Sequence, residues 1–271
     1  MSGSRVRSRI ATVISAFALA TVGTVTPTAA AAPALTRDFA ELQDGIDAVI
    51  GIAAAAAGAD SQPVLLGTWR SGPAWSTMKV PLVLAALRDD PLRGITEEMI
   101  AAITRSDNAA AESVWAGLGP PADAAARVES VLRDHGDPTI VTSVRTRPEY
   151  SACGQSDWPL GDQSRFLAAA ACDPRDAPVL ELMGQIAPDQ RWGVGQIPDA
   201  VFKGGWGPSP TGAYLVRQMA LIRTPTGTAA VAIAAAPASG AYEDGIAAVS
   251  RITAWLAEHT AELPAGHCRS K

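Results

Sequence analysis

Ser76-Thr77-Met78-Lys79, opening an apolar run that continues Val80-Pro81-Leu82-Val83-Leu84, is the stretch on which the rest of the chain turns. Its pattern predicts a helix from Ser76 to about Arg88, with an irregular first turn because Pro81 lies so near the start. Residues three apart on a helix share a face, so the Ser76 hydroxyl and the Lys79 amine come within reach of one another. A helix N-terminus also favours developing negative charge. A serine beside a lysine base is a recognised nucleophile arrangement. Ser-x-x-Lys alone is weak, since a helix cap followed by a solvated lysine has the same spelling.

Lysine usage strengthens it. Of 22 basic residues only Lys79, Lys203 and Lys271 are lysines, and Lys271 is the last residue. A desolvated amine can lose its proton and act as a base, whereas a guanidinium cannot. The two internal lysines therefore mark positions where arginine would not serve. Ser106-Asp107-Asn108 follows in a turn between two predicted helices. Taken alone it reads as a helix cap, because all three residue types cap well. Lys203-Gly204-Gly205-Trp206-Gly207 lies on a predicted strand. Glycine beside lysine lets backbone N–H groups approach a ligand closely, and the plain alternative is a strand ending in a Gly-rich turn.

Outward from these motifs, a 3.6-residue period predicts helix over Asp38 to Ala57, and Gln62 to Trp69, with the apolar run Pro63-Val64-Leu65-Leu66, reads as a short strand. Helices are predicted at Thr96–Thr104 (with Thr96 as cap), Asn108–Leu118, Ala122–Arg133, Gly161–Ala171 and Pro178–Ile186. The segment from Thr139 to Asp157 reads as loop. Strands are expected at Val201–Gly205, Gly212–Arg223 and Thr228–Ala236, the last two joined by a Thr224-Pro225-Thr226-Gly227 turn. An amphipathic helix from about Tyr242 to Glu262 closes the chain. Segments 36–72 and 200–264 are expected to form one sheet-and-helix lobe and 73–199 a helical lobe. A cleft between two such lobes is a usual place for a site.

Composition bounds the function. With 271 residues, 48% hydrophobic and 18% charged, the chain is globular with a sizeable core, and a net charge of −5 offers nothing to nucleic acid. Residues 1–31 read as an export signal: Arg5, Arg7 and Arg9, then a weakly apolar uncharged stretch, then an alanine run with a cut expected near Ala30 or Ala31. No cysteine stands there to carry a lipid. The mature part, 32–271, is expected to be secreted or cell-wall associated, monomeric and without a stable membrane span. Export permits a disulfide among Cys153, Cys172 and Cys268; Cys153 with Cys172 is favoured and Cys172 with Cys268 is possible. The three histidines have no metal-ligand spacing and stand beside no Gly-x-Ser-x-Gly elbow, so neither a metal site, nor a cofactor, nor a Ser-His-Asp triad is expected. His135 reads as an ordinary helix end.

Ser-x-x-Lys, Ser-Asp-Asn and a lysine-glycine strand, in that order, resemble the signature of the penicillin-binding protein and serine β-lactamase superfamily, in a class A-like form. The resemblance implies an α+β fold: an antiparallel sheet flanked by N- and C-terminal helices, plus an all-helical lobe. It implies Ser76 as acylated nucleophile, Lys79 as its base and Ser106 as proton relay to the leaving group. Asn108 would bond the substrate amide and Lys79, and Lys203 would hold a substrate carboxylate and bias Ser106. The backbone N–H groups of Ser76 and Trp206, beside Gly205, would form the oxyanion hole. Asp107 would tie down its turn.

Departures from the signature matter. The third motif is Lys-Gly-Gly, so the family's Thr or Ser hydroxyl is absent at Gly204. The Glu-x-x-Leu-Asn loop that drives deacylation in class A enzymes is missing; Glu149 is the nearest candidate for that base, with Gln155 and Asp157 weaker. Arg217 reads as a surface strand arginine, with help to a substrate carboxylate as its other reading. Two functions are left: a serine hydrolase cleaving an amide or ester bond of a β-lactam or peptidoglycan-like substrate, or a non-catalytic module binding cell-wall peptide or β-lactam on the same scaffold.

Overall fold

The computed structural model describes residues 31–58 and 62–269; the export segment expected over 1–31 lies, but for its last residue, outside them. The chain runs through helix α1 (Ala31–Asp44), strands β1 (Ala48–Ala56) and β2 (Val64–Gly67), and a 3-10 turn at Trp75–Met78. Helices α2 (Lys79–Asp89), α3 (Glu97–Thr104), α4 (Asn108–Gly117), α5 (Pro121–Asp134), α6 (Leu160–Ala170) and α7 (Ala177–Met183) follow. Strands β3 (Val201–Pro208), β4 (Tyr214–Thr224) and β5 (Gly227–Pro237) and helix α8 (Tyr242–Glu258) complete it. All strand pairs are antiparallel, in the spatial order β2-β1-β5-β4-β3. The α+β fold expected from the sequence is what the chain adopts.

Two findings explain the sheet. β5 is its centre, and β1 and β5 are alanine-rich because both faces are covered: Ala53, Ala232 and Ala234 pack with Leu160 of α6, whereas Ile50, Ile233, Val249 and Ile252 belong to the main core with α8. Small residues let a helix lie close on each side. This overturns the helix expected over Asp38 to Ala57. Only its first part is helical; Ala48–Ala56 is a strand that pairs residue by residue with β5. A strand buried on both faces shows no period of two, so Ile46, Val49 and Ile50 counterfeit a helical stripe.

The helices between Lys79 and Met183 agree closely with expectation. Thr96 caps α3 through the Met99 N–H, and Asp107 caps α4 by accepting from the Ala110 N–H at 2.8 Å. Pro81 causes no break: the turn before it is 3-10, and it falls in the first turn of α2, where its missing N–H has no partner to lose. The cysteine pairing is a correction. Cys172 is bonded to Cys268, with Cα atoms 5.2 Å apart, and Cys153 is a buried free thiol. Chain folding brings the segment after α8 against the end of α6, a contact between residues 96 apart that no local pattern announces. Among the described residues no helix is long and apolar enough to cross a membrane.

Candidate active site

The 3-10 turn, the α3–α4 turn and edge strand β3 meet at one place. The turn is fixed locally: the Thr77 N–H and hydroxyl both donate to the Ala74 carbonyl, at 3.2 and 2.6 Å. Trp75 and Ser106 stand at φ +50° and +56°, a region that costs a non-glycine residue about 1–3 kcal/mol and persists where surrounding contacts enforce it. β3 lies directly against the turn. A β-carbon at Gly205 would stand 2.9 Å from the backbone nitrogens of Ser76 and Thr77, so only glycine fits there. At Gly207 it would strike the Trp75 indole at 2.7 Å.

Five of the residues singled out in the sequence are directly connected. Lys79 Nζ lies 3.1 Å from Ser76 Oγ and donates to the Ser106 carbonyl at 2.6 Å and Asn108 Oδ1 at 2.7 Å. Lys203 Nζ donates to Ser106 Oγ at 2.8 Å and the Gly204 carbonyl at 3.0 Å. Ser106 Oγ thus stands between the two amines, 3.4 Å from Lys79 Nζ. Desolvation by burial lowers Lys79 to about 8, against the opposing pull of Cys153, Asp107 and Glu112. Burial, with Lys79 beside it, pushes Lys203 well below the usual lysine range. Lys203 is fully buried, and its amine is held against the Ser106 hydroxyl.

The site opens into a cleft of about 360 Å³ lined by Ser76, Ser106, Asn108, Tyr150, Trp206 and Tyr214 among others. Glu149 is at its rim, with its side chain 56% exposed and its carboxylate paired to Arg147, not to Ser76 or Lys79. Gln155 is a brace: its amide donates to the carbonyls of Arg147, Tyr150 and Ser151. Asp157 accepts from the Ser71 hydroxyl at 2.6 Å. The carboxylate that sequence reasoning missed is Glu112, which lines the cleft and pairs with Arg145. It lies four residues after Asn108 on α4, one turn along the same face, and that spacing was the available signal. Burial raises the Cys153 thiol to about 11, so it offers no base.

Arg217 is not on the surface. It is fully buried and donates to the carbonyls of Gly72, Pro73 and Trp158 and to Gln163 Oε1. Gln163 in turn donates to Thr77 Oγ1 at 2.9 Å, which connects Arg217 to the turn holding Ser76.

His135 caps α5, as expected, but it is buried. Its Nδ1 meets the Val131 carbonyl at 2.8 Å and its Nε2 meets Asp176 Oδ2 at 2.7 Å. His135, Asp173 and Asp176 are close enough to hold an ion, yet the Arg88 guanidinium already pairs with Asp176 at 2.8 Å. Desolvation alone would lower the His135 pKa; hydrogen bonding to Asp176 and Val131 outweighs it and the net shift is upward. The proton is therefore held more tightly in the folded chain. This stabilisation is complete below the ordinary histidine pKa and is lost as pH rises through the higher folded value. Melting temperature across that window should fall more in the wild type than in His135→Gln; equal slopes would refute the linkage.

No family model matches the chain, and no curated protein does. Solved structures do. The crystal structure of TLA-3 extended-spectrum β-lactamase aligns with TM-score 0.64 at 15% identity, covering 83% of this chain and 99% of that one. The putative class A β-lactamase PenP from Rhodopseudomonas palustris aligns with TM-score 0.62 at 19% identity, and a β-lactamase from Streptosporangium roseum with 0.61 at 18%, each over 83% of this chain and 99% of the other.

Proposed function

Taking the class A β-lactamase-like fold as premise, we propose that this chain is an exported serine hydrolase that cleaves a β-lactam or peptidoglycan-like amide or ester through an acyl-Ser76 intermediate. Residues 1–31 would be removed, and 32–271 would act as one β-lactamase-like domain, its cleft between the lobe of 36–72 and 200–264 and the lobe of 73–199. The observation that carries the reading is the single amine, Lys79, in reach of Ser76 Oγ, Ser106 and Asn108 at once.

When the Lys79 amine is neutral, Ser76 donates to it and loses its proton as Oγ attacks the carbonyl carbon. The oxygen charge that develops is taken by the backbone N–H groups of Ser76 and Trp206. The carbonyl–nitrogen or carbonyl–oxygen bond then breaks, and the leaving atom takes a proton through Ser106, whose hydroxyl is held between Lys79 and Lys203. Deacylation needs an activated water. Glu149 is turned toward Arg147 and Glu112 toward Arg145, so among the described residues no carboxylate is held against Ser76. A slow second step follows.

The test is mass spectrometry of the mature protein after a chromogenic cephalosporin or a fluorescent penicillin. The expected result is an adduct of the antibiotic's full mass, mapped to the Ser76 peptide and long-lived, with little colour turnover. Fast turnover would show a deacylating base in action. No adduct would favour the second reading, a non-catalytic binding module, for which the missing hydroxyl at Gly204 speaks.

A further inference from the structure

A second cavity, of about 480 Å³, lies next to the cleft and shares Trp75, Gly207, Pro208 and Tyr214 with it. Its other walls are chiefly apolar: Trp69, Pro73, Pro210, Leu215, Ala236 and Pro237. We propose that this compartment receives an uncharged aryl or alkyl group of the substrate attacked by Ser76, and that the site selects against a carboxylate on that group. The inference rests on the reading of Ser76 as nucleophile.

Continuity gives the first argument. The two spaces meet at Trp75, Gly207, Pro208 and Tyr214, which line both, so a ligand held at Ser76 lies directly beside the compartment. Most of the polar groups behind the apolar walls are already paired, Trp75 Nε1 and Arg217 Nε excepted. Arg217 donates to the carbonyls of Gly72 and Pro73 from the buried side, and its guanidinium lies 5.3 Å from the centre of the Trp69 ring. An occupant therefore meets ring and methylene surface, which rewards apolar groups.

Charge gives the second. Arg145 is the cation lining the cleft and Arg147 the cation lining the second cavity. Arg145 is paired with Glu112, and Arg147 with Glu149 and the Pro208 carbonyl. Lys203 is buried behind Ser106, and Gly204 supplies no hydroxyl. A carboxylate entering here would be desolvated with no unpaired lining cation, among the described residues, to receive it.

Boronic acids test this apart from turnover. Ser76 Oγ adds to boron, forming the O–B bond, while its proton passes to Lys79; nothing is oxidised. Methylboronic acid is compared with phenyl-, benzyl-, phenylethyl- and phenylbutylboronic acids by competition and intact mass. At least one aryl member should bind about tenfold tighter than methylboronic acid or better. A carboxylate on its ring should remove that gain. Ala236→Phe, which fills the compartment, and Leu215→Glu, which charges it, should each remove the gain while methylboronic acid binds as before. A flat series, or a preference surviving in both variants, overturns the inference and leaves the nucleophile intact. Binding by none of the boronic acids overturns both.

Discussion

Ser76→Ala is expected to abolish covalent labelling, and Lys79→Met to slow acylation by about 10³-fold, within the range that positioned general bases contribute. The reason is in the surroundings of one amine. An exposed lysine is protonated at neutral pH and cannot take a proton from a hydroxyl. Burial brings Lys79 down to about 8, so a useful fraction is neutral near pH 7. Its hydrogen bonds to the Ser106 carbonyl and Asn108 Oδ1 aim the nitrogen so that Ser76 Oγ lies 3.1 Å away. The acylation rate should therefore rise with pH and level off above about 8. Lys79→Arg should fail as badly as methionine, because a guanidinium keeps its charge. Stopped-flow acylation by a chromogenic cephalosporin across the pH range reads all three. A flat pH profile, or a Lys79→Met rate within tenfold of wild type, would sink the assignment of Lys79 as base.

That site was legible because chemistry constrains residue type more tightly than packing does. An amine had to be lysine in a chain that otherwise uses arginine, so Lys79 and Lys203 stood out from composition. The glycines after Lys203 were legible as a close approach, and the atoms approached are the backbone nitrogens of Ser76 and Thr77. Caps were legible as well, since Thr96 and Asp107 act on their own helices. What was hidden depends on distant partners. β1 carries no alternation because α6 and α8 cover opposite faces of the sheet. Cys268 meets Cys172 only after the last helix is in place. Glu149 had the right region of sequence, but the loop that Gln155 braces leaves its carboxylate at the rim. Arg217 was misread for a related reason. Strand position says which face a side chain takes, not whether that face is open, and here α6 covers it with Gln163.

Arg217→Met should lower the melting temperature by roughly 6–12 °C and slow acylation of Ser76 by about tenfold or more. Burial drops Arg217 to about 9, still high enough to keep it charged at neutral pH with its donors present. Methionine fills similar volume but leaves the Pro73 and Trp158 carbonyls and the Gln163 Oε1 acceptor without donors, while the Gly72 carbonyl keeps the Trp158 N–H. Each buried unsatisfied acceptor costs about 1–3 kcal/mol. Against that, the variant no longer buries a charge, and the wild type already leaves Arg217 Nε unpartnered. The partial cancellation leaves a net loss of about 3 kcal/mol, or roughly 2–4 °C for each kcal/mol in a domain of this size. The catalytic loss follows by a different route. Gln163 holds Thr77 Oγ1, and Thr77 holds the Ala74 carbonyl, so the turn presenting Ser76 is braced from its buried side. Gln163→Leu separates the two effects: it breaks the brace and should slow acylation similarly while Arg217 keeps its three carbonyls and most of the stability. If Gln163→Leu acylates at the wild-type rate, Arg217 supports the fold alone and the turn that carries Ser76 holds itself.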